Sequence, residues 1–249
     1  MGFLSVEGKA IPYDESKKII PYIKEHGITQ FLNLFALHKD RRIAESNLHY
    51  GDELEYSVFH LDHVKRQAKL YDGVIELLRC DKLDSEHFGI HPEFGSWMVE
   101  LVPKKPYHKI TRHSLEQMAN SMLIRRHALN EALTKYGLLM VSATSVPNLG
   151  VGRYSTLETF PENLEEANSA SRSRFVLDES ANPHPRFGAL MRNIRARRGD
   201  KVDIKIPLFE DTNTKMTVET TEEPYPGEIY MDSIHFGMGC SCLQLTYEA

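Results

Sequence analysis

The chain has 249 residues, of which 41% are hydrophobic and 26% charged, a composition typical of a globular protein with a sizeable core in one large domain or two small ones. Its 35 acidic and 30 basic residues leave a formal net charge of −5, which gives no reason to expect a nucleic-acid-binding protein, and no segment approaches the roughly 20 apolar residues of a membrane span. Three cysteines without regular spacing, and an N-terminus without the apolar core of a signal peptide, favour a cytoplasmic protein over a secreted one.

The first predicted elements are helical. Asp14 or Ser16 can cap a helix that runs to about His26. Gly27 then interrupts the pattern. The spacing of the apolar residues in 28–40 indicates a second helical stretch with a broad apolar face. The sequence therefore predicts two consecutive helical segments before the first strand.

Strands are predicted where apolar and polar residues alternate, or where a short apolar run is bounded by turn residues. Residues 52–62 alternate most regularly, and residues 67–72 are the candidate hairpin partner. Further strands are predicted at residues 96–102, 138–145, 201–209, 228–236 and 240–249. The last of these reaches the final residue without a terminating glycine or proline, so we expect the sequence to be a piece of a longer one.

The clearest helix is predicted at residues 114–137, with Ser114 as its cap and Gly137 as its end. Residues 146–186 are rich in Pro, Ser, Asn and Glu and are predicted to form a long loop region, which in a compact domain is usually functional. Because helices and strands follow one another without βαβ regularity, we predict an α+β fold with a largely antiparallel sheet and flanking helices.

Two carboxylates lie two positions apart in the strand at residues 52–62. The period of two places Glu53 and Glu55 on the same face, with Cα atoms roughly 6.5–7 Å apart. Like charges side by side repel, so this face is either exposed to water or bound to something positive. Both interpretations remain open on the spacing alone, and a hard cation such as Mg²⁺ would suit the second one.

A second pair of carboxylates favours the cation. Glu100 lies in an apolar strand, where an unpaired carboxylate is costly to bury. Glu93 lies seven positions earlier, and an odd separation in an unbroken strand would place the two on opposite faces. They can share a site only if Glu93 precedes the strand or if Gly95 marks an irregularity.

Two other groups give weaker signals. Four arginines lie near the end of a basic helical segment and are either solvated or in contact with phosphate: Arg192, Arg195, Arg197 and Arg198. Cys240 and Cys242 are two apart, so in a strand they would face one side together with Met238 and Gln244. Their spacing disfavours a disulfide and no second pair at zinc spacing accompanies them, so buried thiols are expected.

Several blocks of the sequence occur in a recognisable order. They are "HGITQFLNLF", "YGDELEYSVFHLD", "HPEFGSWMVELVPKKPY", "ANPHPRFGALMRNIRARRGDKVDIKIPLF" and "IYMDSIHFGMGCSCLQLTYEA". Together they resemble the catalytic subunits of eukaryotic glutamate–cysteine ligases, and the resemblance extends over essentially the whole chain.

The resemblance implies a glutamine synthetase-like fold in which an antiparallel sheet shapes a funnel-like site. It implies phosphorylation of the L-glutamate γ-carboxylate by ATP with Mg²⁺, then attack by L-cysteine to give γ-glutamylcysteine, the first step of glutathione synthesis. The family's metal-binding glutamates match Glu53, Glu55, Glu93 and Glu100. Its glutamate pocket matches the segment that contains Met238, Cys240 and Cys242.

Members of the family are more than twice as long as this chain. The resemblance therefore implies that residues 1–249 are the N-terminal part of a single ligase domain, incomplete at its C-terminus and inactive alone. A modifier subunit is an implied partner. The alternative is a non-catalytic interaction module that binds a full-length ligase or its modifier subunit.

Overall fold

A long central strand, β1 (His49–Asp62), organises the computed structural model, which describes residues 9–41, 48–80, 83, 87–215, 225 and 227–248. Ala249, the last residue of the strand predicted at 240–249, lies outside the described residues. Among these described residues, five strands pair with β1, and β3 joins the sheet through β4. The other strands of this sheet are β2 (Gln67–Leu70), β3 (Phe88–Pro92), β4 (Met98–Pro103), β5 (Tyr107–His108), β6 (Leu138–Val141) and β9 (Leu243–Tyr247).

A separate two-stranded ribbon is formed by β7 (Ile204–Pro207) and β8 (Glu228–Met231). The described helices are α1 (Tyr13–His38), α2 (Val74–Cys80), α3 (Arg112–Thr134), α4 (Leu164–Ala167), α5 (Pro185–Arg198) and α6 (His235–Met238). The named strands pair antiparallel throughout, so the predicted α+β class with a largely antiparallel sheet and flanking helices is confirmed.

One face of the sheet is covered by α2 and α3. Alternation along β1 points Tyr56 and Val58 to this face, where they pack with Val99 and Leu101 of β4 and with Leu129 and Leu133 of α3. This cluster is the larger of the two apolar clusters that pack on the sheet, and it holds α3 against β1 and β4.

The opposite face is only partly covered. Phe59 and Met98 pack there under the long connection that follows β6, which contributes Val146, Tyr154 and Val176. The connection contains α4 and a single 3₁₀ turn, Asp178–Ser180, so its prediction as a long loop region is largely confirmed. Beyond this cluster, the same face of β1 and β4 carries Glu53, Glu55 and Glu100.

The predicted break at Gly27 is wrong. α1 is one continuous helix from Tyr13, and the residue before it is Pro12, so Asp14 and Ser16 lie in the first turn rather than capping it. Open space surrounds Gly27, and glycine in an exposed helix costs only about 1 kcal/mol, so the flanking helix-forming residues prevail. Among the described helices, none is long and apolar enough to cross a membrane.

The predicted cap of α3 is also displaced. Thr111 is the N-cap, and its side chain accepts a hydrogen bond from the Ser114 backbone while the Ser114 side chain bonds back to Thr111. Ser114 is thus the third helical residue of a capping box. The helix ends at Thr134, and Gly137, with φ of 67°, forms the turn into β6.

The C-terminal strand predictions are too long. The segment predicted as strand 228–236 divides into β8 and the one-turn α6, and β9 begins only at Leu243. At Gly239 a side-chain Cβ would lie 2.6 Å from the His235 carbonyl oxygen and 3.0 Å from the Trp97 ring. The glycine therefore permits a tight turn that period-two patterning does not detect.

Candidate metal centre

Three glutamates converge on the open face of the sheet. Antiparallel pairing places Glu55 of β1 directly opposite Glu100 of β4. Carboxylate oxygens of Glu55, Glu93 and Glu100 all lie within 4.8 Å of one another. The three residues are 4%, 6% and 0% exposed, so this acidic group is buried rather than solvated.

Glu93 joins the group because it precedes β4. β3 ends at Pro92 and β4 begins at Met98, with a turn closed by the Met98 amide donating to the Gly95 carbonyl at 3.0 Å. A Cβ at Gly95 would lie 2.7 Å from the Trp97 ring, so only glycine permits this close approach. The condition set by the odd spacing of the two glutamates is met by this irregularity.

The Glu93 turn is held in place from the neighbouring loop. The Asn182 amide donates to the Phe94 carbonyl at 2.7 Å, and the Ser96 amide donates to the Ser180 carbonyl at 2.9 Å. The Phe94 ring packs edge-on against Phe187 of α5 with centroids 5.5 Å apart. The connection after β6 and the start of α5 therefore position Glu93.

Burial and repulsion shape the titration of the cluster. Burial first, and then the negative charges of Glu100 and Glu55, raise the pKa of Glu93 to about 7. Burial, a hydrogen bond to Glu100 and its charge also raise the pKa of Glu53. Burial alone would raise the pKa of Glu100, but hydrogen bonds from His91 and Glu53 outweigh it and lower the pKa. Glu93 and Glu53 thus release their protons at a higher pH than ordinary carboxylates, whereas Glu100 releases its proton at a lower pH.

Glu55 is oriented by the chain that leads into β9. Its Oε2 accepts a hydrogen bond from the Cys242 amide at 3.0 Å, and its Oε1 accepts one from the Gln244 side-chain amide. Gln244 lies opposite Glu53 in the strand pairing, so its amide reaches the carboxylate row from the adjoining strand. Sequence reasoning missed this contact because the pairing partner of β9 is not encoded in local periodicity.

The donor set fits a hard divalent cation. Mg²⁺ takes oxygen ligands and is commonly bound by a few carboxylates together with water and phosphate. Among the described residues, neither Glu55 nor Glu93 forms an ion pair with lysine or arginine. A cleft of about 400 Å³ adjoins Glu53 and is lined by residues that include Gly51, Lys104 and Thr246. It offers space beside Glu53 for a larger ligand.

The expected pocket-wall residues do not share one strand face. Met238 ends α6 and is exposed, the Cys240 thiol bonds to the Phe236 carbonyl, and Cys242 is exposed just before β9. The expectation of two buried thiols on a strand is therefore wrong, because the turn at Gly239 breaks the period. Partial burial and the Glu55 carboxylate raise the pKa of the Cys242 thiol to about 11.

The four arginines lie on α5. Arg195 Nη1 donates to the Ser169 and Ala170 carbonyls at 2.9 Å each, so this side chain anchors the long connection. Arg192, Arg197 and Arg198 are exposed. In the described part of the chain no contact joins these arginines to the glutamate cluster, and their contact with phosphate stays a prediction.

The comparisons with known proteins agree with one another. The model of the family described as glutamate-cysteine ligase matches residues 2–249. The chain is 38% identical to the glutamate–cysteine ligase catalytic subunit of Rattus norvegicus and 36% identical to that of Homo sapiens; each alignment covers 100% of this chain and 40% of the relative. It is 35% identical to the glutamate–cysteine ligase of Candida albicans, covering 100% of this chain and 38% of that relative. The chain thus spans about two fifths of the length of these curated relatives.

Proposed function

Because this chain belongs to the glutamate–cysteine ligase family, we propose that it contributes to the ATP- and Mg²⁺-dependent joining of L-glutamate and L-cysteine. The product is γ-glutamylcysteine, formed through γ-glutamyl phosphate, as the first step of glutathione synthesis. The observation that carries the proposal is the buried convergence of Glu55, Glu93 and Glu100 within 4.8 Å. We further propose that residues 1–249 are part of one glutamine synthetase-like ligase domain.

Glu55, Glu93 and Glu100 would hold Mg²⁺, with Glu53 able to bind a second ion from its half-buried position beside Glu100. The bound cation supplies charge neutralisation for the phosphoryl group in transfer from ATP to the glutamate γ-carboxylate. The four carboxylates provide the negative charge that retains it, and the Cys242 amide and the Gln244 side chain keep Glu55 pointed at the site.

The substrate groups are assigned by position. The segment with Met238, Cys240 and Cys242 leads directly to Glu55, because the Cys242 amide contacts its carboxylate. We propose this segment as the wall of the L-glutamate pocket, which would set the γ-carboxylate beside the cation. The exposed Arg192, Arg197 and Arg198 are proposed phosphate contacts, whereas Arg195 is already engaged by two carbonyls.

Glu55→Gln tests this proposal, since it removes one anionic ligand without changing side-chain volume. We expect weaker Mg²⁺ binding by calorimetry, and a strong fall in kcat for γ-glutamylcysteine formation by the protein that carries this sequence. Glu116→Gln, on the exposed surface of α3, is the matched control and should change neither quantity. Equal Mg²⁺ affinity in wild type and Glu55→Gln would contradict the proposed site.

A second candidate, a non-catalytic interaction module, is favoured by one observation. No residue of α1 is buried, and exposed apolar side chains such as Tyr22, Phe31 and Leu37 line it. In this alternative, α1 binds a full-length ligase or its modifier subunit. The two candidates are distinguished by adding this chain to a full-length ligase. An interaction module forms a complex of larger mass with that enzyme, or changes its activity, even when Glu55 of the added chain is replaced by Gln.

A further inference from the structure

A buried arginine lies directly behind the glutamate cluster, on the other face of the sheet. Arg125 belongs to α3 and is only 1% exposed. Its Nη2 donates to the Asp52 carboxylate, and its Nη1 donates to the Leu101 carbonyl at 2.8 Å. A longer bond of 3.3 Å runs from its Nε to the Ser121 carbonyl within α3. The guanidinium therefore joins the helix to two neighbouring strands.

The two groups that Arg125 binds are sequence neighbours of two cluster glutamates. Asp52 precedes Glu53 on β1, and Leu101 follows Glu100 on β4. Successive residues of a strand point to opposite faces. Arg125 therefore binds the same segments of β1 and β4 that carry the cluster glutamates, but on the opposite face of the sheet.

The contribution of this buried ion pair to the free energy of folding does not explain why it is present. A fully buried ion pair contributes little compared with an apolar pair of similar volume, since both charges are removed from water. What the ion pair adds is geometry, because the planar fork of arginine binds two acceptors at fixed separation.

A fixed separation matters because the front of the sheet is under repulsion. Carboxylates of β1 and β4 face each other at Glu55 and Glu100, and burial strengthens their interaction. We propose that Arg125 is a positioning residue: by binding Asp52 and the Leu101 carbonyl together it sets the spacing of β1 and β4, and so the affinity of the glutamate cluster for a divalent cation. This inference rests on the proposed metal site.

The test compares Mg²⁺ binding with folding. The double variant Asp52→Leu/Arg125→Met removes both charges and leaves an apolar pair, while Arg126→Met makes the same change at the neighbouring exposed arginine. Calorimetry gives the Kd for Mg²⁺, and melting in EDTA gives the stability of the metal-free protein. We expect the Kd of the double variant to rise about 10-fold or more, as for groups that orient metal ligands, and the Kd of Arg126→Met to be unchanged.

Arg125→Lys provides a second route if the double variant does not fold. It keeps the charge but replaces the fork with a point charge that cannot bind both acceptors in the same way, so its Kd should also rise. A folded variant with wild-type Kd, including one with only a lower melting temperature, overturns the inference and leaves the metal site standing. A wild-type protein that does not bind Mg²⁺ overturns both together.

Discussion

Replacing Glu93 with glutamine should make the metal-free protein more stable near pH 8, although it removes a proposed metal ligand. Glu93 is 6% exposed, and burial with the Glu100 and Glu55 charges raises its pKa from an ordinary 4.5 to about 7. Above pH 7 the folded protein must hold this carboxylate ionised in a poor environment. Glutamine removes the charge, and its amide can donate to the neighbouring carboxylates while its oxygen still accepts from the Phe94 amide.

The magnitude follows from linkage. Between pH 4.5 and about 7 the folded state binds a proton at Glu93 that the unfolded chain releases, so this group lowers the free energy of unfolding as pH rises. At about 1.4 kcal/mol per pH unit, this interval lowers the free energy of unfolding by about 3 kcal/mol. The destabilisation is fully present above pH 7 and absent below pH 4.5. For a chain of this size that is roughly 6–12 °C in melting temperature.

The assay is urea unfolding and thermal melting in EDTA from pH 5 to 8.5, for wild type, Glu93→Gln and the surface control Glu116→Gln. The difference between wild type and Glu93→Gln reports Glu93 together with Glu55 and Glu100, whose charges interact with it. It cancels groups without such an interaction, such as buried His235, whose pKa burial lowers to about 4. We expect the stabilising difference to grow with pH and level off near pH 8. A difference that is flat with pH, or a variant less stable than wild type at pH 8, would refute the reasoning.

Two further changes test the supports of the site. Gly95→Ala should lower the free energy of unfolding by about 1–3 kcal/mol in urea, because its Cβ would meet the Trp97 ring at 2.7 Å; the control Gly27→Ala, in open space on α1, should instead raise it by up to about 1 kcal/mol. Thr111→Ala should cost about 1 kcal/mol by removing the cap of α3. Thr134→Ala, at the exposed end of the same helix, should have no comparable effect, since the Thr134 hydroxyl bonds only the Asn130 carbonyl one turn back.

The local sequence pattern predicted which face of the sheet carries the glutamates. Alternation along β1 placed Glu53 and Glu55 on one face. The odd spacing of Glu93 and Glu100 required that Glu93 precede the strand or that Gly95 mark an irregularity, and the turn before Met98 meets this condition. These inferences depend only on the period of a strand and the conformational freedom of glycine, and both properties are carried by adjacent residues.

The remainder required tertiary contacts. Nothing local distinguishes buried Arg125 from exposed Arg126, and nothing in residues 235–249 reveals that Gln244 is paired opposite Glu53. The turn at Gly239 brings its backbone close to the ring of Trp97, a residue far away in sequence, and the absence of a side chain at Gly239 permits this approach. Predictions that relied on strand period alone therefore failed for the segment of Met238, Cys240 and Cys242.

The position of a bound cation tests the proposed glutamate site most closely. Mn²⁺ takes oxygen ligands as Mg²⁺ does and is located by its anomalous scattering in crystals soaked with the ion. We expect a peak bounded by the carboxylates of Glu55, Glu93 and Glu100, which is lost in crystals of Glu55→Gln. Saturating Mn²⁺ with no peak between these three carboxylates, or with peaks only at exposed acidic residues, would contradict it.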